Sequence, residues 1–131
     1  MSDCYSVAAI RHLVDADLLY ENHRFDNAMC HYAFSVECVL KAFLSAPLRS
    51  HQLNILQELV CTYSELLALF HPKFMLLFGI EKIPPILVQD HPERRYFEDT
   101  NYTEVEMQQV KFFTNSLVNK MINAVLNGQI N

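Results

Sequence analysis

Apolar and polar positions follow a helical period along most of this chain. Tyr5, Ala9, Leu13, Ala16 and Tyr20 recur every three or four residues, which lines one face of a helix from about Cys4 to Asn22. Arg11 and Asp15, one turn apart, pair off that stripe. His23 and Arg24 leave room only for a tight connection, so the next helix runs back antiparallel to the first. That second helix, about Phe25 to Ala46, carries Ala28, Met29, Tyr32, Ala33, Val36, Val39, Leu40, Phe43 and Leu44 on several faces, the mark of a central, buried helix. Past its first turn the only charges are Glu37 and Lys41, in the favourable i, i+4 order. Pro47 ends it.

Ser50 caps a third helix bearing Leu53, Leu56, Leu59 and Val60, and Thr62 with Glu65 forms a capping box that would open a fourth. Pro72 kinks the Leu66 to Phe78 stretch, and Gly79 stops it. Glu81 to Tyr102, with Pro84, Pro85 and Pro92 among mixed charges, reads as a long ordered loop holding at most a short turn of helix. A capping box of Thr103 and Glu106 then opens a last helix, with Val105, Val110, Phe113, Leu117 and Met121 to one side, running to about Leu126 before Gly128.

The expected fold is therefore all-α: four to five helices with a long loop before the last, in one domain spanning 1–131. A length of 131 residues supports one sizeable core. Two glycines are too few for the turns of an all-β chain. The net charge of -5 disfavours sequence-blind coating of nucleic acid unless basic residues cluster. Leu66 to Phe78 is too short and too interrupted to span a bilayer, and the start Met-Ser-Asp-Cys lacks the regions of a signal peptide. With no C-x-x-C pair among Cys4, Cys30, Cys38 and Cys61, reduced thiols and a cytoplasmic location are expected. Aromatic and Met side chains, including Phe74, Met75, Phe78, Phe112 and Phe113, exceed what one small bundle covers, which predicts a homodimer.

Candidate chemistry changes this picture little. His12, His23, His31, His51, His71 and His91 never fall at ligand spacing, so neither metal nor cofactor is expected. Glu93, Glu98, Asp99, Glu104 and Glu106 read as a solvated face and a cap. Without a glycine-rich phosphate loop, any nucleotide must be held by side chains. Arg94 and Arg95 beside Tyr96 could grip a phosphate and stack a base, or simply anchor the loop.

Arg24-Phe25-Asp26-Asn27-Ala28 leading into Ala33-Phe34-Ser35-Val36-Glu37-Cys38-Val39-Leu40-Lys41-Ala42-Phe43, after a helix and a short hairpin, resembles the HEPN domain family. That family's second helix carries a buried Glu four residues before a Lys. Ser50-His51-Gln52-Leu53-Asn54-Ile55-Leu56 is similar to its third-helix start, and Arg94-Arg95-Tyr96 to the Arg-Tyr before its last helix. The resemblance implies an up-and-down antiparallel bundle, homodimerisation, and roles around a nucleotide, RNA or a partner nucleotidyltransferase. It points to a non-catalytic binding module with a cleft near Glu37, Lys41, His51, Arg94, Arg95 and Tyr96. Family ribonucleases of toxin type pair an Arg with a His that follows after four to six intervening residues. Here the only fit is Arg24 with His31, placed earlier in the chain than the family's motif, and no His follows Arg94 or Arg95. A purely structural helical adaptor is a third reading.

Overall fold

The computed structural model describes residues 4–44, 51–68 and 82–130, the side chains of 63–68 excepted. All the regular structure among them is helical. Helix α1 spans Tyr5–Glu21 and buries Ala9, Leu13 and Ala16, the expected stripe. Its last carbonyls are taken up in the turn that follows: Asn22 Nδ2 donates to the Leu18 carbonyl at 2.8 Å, and the Arg24 amide to that of Leu19 at 2.8 Å. His23 makes the reversal in the left-handed region, at φ 56°.

Helix α2, Phe25–Leu44, is the centre of the molecule. Every residue from Ser35 to Phe43 is buried, and α2 packs against each of the other elements. Two polar anchors fix it to α1. Ser35 Oγ donates to the Ala9 carbonyl at 2.8 Å, and the Tyr32 hydroxyl to Asp17 Oδ1 at 2.6 Å. Asn115 donates to the same Asp17 oxygen, and Lys111 lies 4.7 Å from the Tyr20 ring, so the last helix runs antiparallel to α1.

Helix α3, Leu53–Ala68, continues through Thr62. The Thr62–Glu65 capping box left open whether the chain breaks there, and the structure shows one continuous helix. A cap helps only where the preceding turn stops supplying carbonyl acceptors, and the helical hydrogen-bond ladder does not stop at Thr62. Leu53, Leu56 and Val60 are buried, whereas Leu59 faces outward. Ser50 and Pro47, the kink at Pro72, the stop at Gly79, and Phe74, Met75 and Phe78 lie outside the described residues.

The long loop holds two short turns. Pro85–Val88 forms α4, with Pro85 at the first helical position, where a missing N–H costs nothing. Glu93–Tyr96 is a 3-10 turn. The predicted capping box then opens α5, Glu104–Leu126: the Glu106 amide donates to Thr103 Oγ1 at 3.2 Å, and the Thr103 amide to Glu106 Oε1 at 2.9 Å. Val110, Phe113 and Met121 are buried, but Val105 is exposed. Phe113 belongs to the core, which leaves Phe112 as the exposed aromatic of that pair. Among the described residues no helix is long and apolar enough to cross a membrane.

Candidate functional site

The ion pairs between described residues all end on Glu37, two turns from the end of α2. Its Oε2 accepts from Lys41 Nζ at 3.0 Å and from His51 Nδ1 at 3.0 Å; its Oε1 accepts from His91 Nε2 at 2.9 Å. An ionised carboxylate can only accept, so His91 carries a proton on Nε2 and His51 one on Nδ1. Glu37, Lys41 and His91 are buried, while the His51 side chain is 52% exposed at the rim. Burial raises the Glu37 carboxyl, but hydrogen bonds from His91, Lys41 and His51 outweigh it and bring the pKa down from 4.5 to about 2. One carboxylate thus joins α2 to the residues entering α3 and to the long loop.

The predicted residues divide between two jobs. Glu37, Lys41 and His51 come together as expected. Arg94 is buried, and its Nη2 donates to the carbonyls of Ile86 at 2.9 Å, Leu87 at 2.7 Å and Gln89. Its guanidinium therefore anchors the loop by closing it around α4. Arg95 and Tyr96 point outward, with the Arg95 guanidinium 4.8 Å from the Tyr96 ring centroid and 5.9 Å from that of Phe34. Arg24 is exposed in the α1–α2 turn, while the His31 ring is engaged with His12.

Two functional-looking residues, His91 and His12, had no functional role in the sequence reading, and His31 has a partner other than the expected Arg24. His91 reaches Glu37 from 54 positions away and meets the Phe34 ring edge-on at 4.8 Å. His12 and His31 place their Nδ1 atoms 3.0 Å apart, and His12 stacks on Phe34 at 5.6 Å. At that separation one Nδ1 donates and the other accepts, so the pair holds a single proton between its facing nitrogens. Burial, then His31, then Arg11 lower the His12 pKa, against opposing pulls from Asp15 and Glu37. A signal for this pair was available, since residues on either side of a tight helical hairpin must face one another. His91 had no such local cue.

Phe34 is thus ringed by His12, His91 and Arg95, and Glu37 follows it one turn later on α2. A cavity of about 40 Å³ among Asp26, Cys30, Arg94, Arg95 and Tyr102 is far below the ~300 Å³ of ordinary ligand clefts. A larger one of about 350 Å³, bordered by Asp90, Glu106 and Tyr102, has acidic walls that oppose a phosphate. Among the described residues no three His, Cys, Asp or Glu side chains are grouped to hold a metal ion. Compared with known families, curated proteins and solved structures, the chain matches no family model, no curated sequence and no solved structure.

Proposed function

We propose that this chain is a non-catalytic, HEPN-like binding and dimerisation module that takes an anionic, base-bearing ligand, a nucleotide or a short stretch of RNA, on the open surface of Phe34, Arg95 and Tyr96. The observation that carries the reading is the outward Arg95, flanked by two aromatic rings, beside an Arg94 committed to the loop. A guanidinium between aromatic faces offers charge to a phosphate and a stacking surface to a base. The cavity beside it, about 40 Å³, is too small to enclose a nucleotide, which favours a ligand laid along the surface, as single-stranded RNA is. A partner nucleotidyltransferase would meet the module through the same kind of ligand.

The toxin-type ribonuclease using Arg24 and His31 gains no support from geometry. A general acid or base must come within hydrogen-bond reach of the proton it moves. His31 is engaged with His12, and Arg24 stands apart in the turn.

Titration of a fluorescent oligouridylate and of an adenine nucleotide tests the proposal. Arg95→Ala should weaken binding about tenfold, in line with ~1–2 kcal/mol for a stacked or cation–π contact. Arg24→Ala should leave binding unchanged. Equal loss in both variants, or RNA cleavage abolished by both Arg24→Ala and His31→Ala in folded protein, overturns the binding-module reading.

A further inference from the structure

The outward side of α1 carries Val7, Ile10, Val14 and Leu18, which are 60%, 39%, 60% and 59% exposed. Their spacing of three, four and four residues makes one continuous stripe opposite the buried Ala9, Leu13 and Ala16. A lone exposed aliphatic residue needs no explanation, but four in register on one helix mark a contact. Arg11 and Asp15 flank the stripe on the same side, one turn apart. Both are exposed, and no ion pair joins them to each other, contrary to the pairing that their spacing predicts.

We propose that this stripe is where two copies of the chain meet, α1 against α1, antiparallel about a twofold axis. The proposal rests on the dimerisation half of the functional reading and names its surface. The charges select a second copy as the occupant. In an antiparallel pairing that sets Val7 against the partner's Leu18 and Ile10 against the partner's Val14, Arg11 falls beside the partner's Asp15. By symmetry Asp15 falls beside the partner's Arg11, so the flank closes as two intermolecular ion pairs. A parallel pairing would carry the Arg11 and Asp15 flanks of the two copies to opposite edges of the pair, where these charges could not meet. The face is thus complementary to itself in one orientation, as a twofold interface requires, and the flanking charges fix direction and register.

Sedimentation equilibrium of the full chain across the micromolar range tests this. The unaltered chain should dimerise, and Val14→Asp should raise the dimer dissociation constant at least tenfold while circular dichroism keeps its helical signal. Arg11→Asp should also weaken the dimer, since it sets two acidic pairs face to face. The double exchange Arg11→Asp with Asp15→Arg should restore it. A dimer indifferent to Val14→Asp, or a double exchange no tighter than the single one, overturns this interface while leaving dimerisation through another face standing. A monomer throughout, including one that instead captures a helix of another protein, overturns both.

Discussion

Glu37 brings together side chains whose burial would each be costly alone. Lys41 and His91 are buried with it, and its two oxygens receive all three donors. Truncating one member of such a set is worse than removing the charges together, because a stranded buried charge loses its partner and keeps its desolvation cost. Glu37→Leu should therefore destabilise the chain by about 3–5 kcal/mol, and Glu37→Leu with Lys41→Met should recover much of that loss. Urea unfolding midpoints check it; a double variant no more stable than Glu37→Leu would place the cost elsewhere. Three of the four members of this cluster were readable in the sequence. Glu37 and Lys41 follow from i, i+4 spacing and His51 from the family resemblance, whereas His91 is delivered by a loop closure that no local pattern encodes. Arg94 and Arg95 show the opposite difficulty: adjacent identical residues, of which one is buried in the loop and the other solvated, a distinction only the loop's path makes.

The helices themselves were legible from hydrophobic period at α1 and α2, and from period together with capping at the Thr103 start of α5. At Thr62 a capping signal met a helix whose buried residues, Leu53, Leu56 and Val60, call for continuation, and the helix prevailed. The α1–α2 hairpin also carries a pH response. His12 of α1 meets His31 of α2, with Arg11, Asp15 and Glu37 as the other charges acting on it. Its pKa in the folded chain lies below the ordinary 6.5, so the unfolded chain takes up the proton first as pH falls. The hairpin's full stability is present above 6.5 and declines as pH drops below it. Between about pH 8 and about pH 5.5 the unfolding midpoint should fall, and His12→Gln should flatten that decline. An unchanged slope would remove the pair from the argument.

Across the whole molecule, the helices need one another through α2, and the loop needs the helices. The α1–α2 contacts are local, linked by a three-residue turn, whereas His91 reaches Glu37 over 54 positions and Thr100 Oγ1 donates to Asp26 Oδ1 over 74, at 2.6 Å. That difference in separation sets an order in time. Close contacts cost little chain entropy and form early, while distant ones reward the chain only after most of it has been gathered. The hairpin should therefore be present in the folding transition state and the loop's attachment to α2 should follow it. In stopped-flow measurements, His91→Ala should speed unfolding and leave refolding almost untouched, whereas Ala33→Gly, within the hairpin, should slow refolding. The residue that completes the Glu37 cluster would then act chiefly as a brake on unfolding, setting how long a folded molecule lasts.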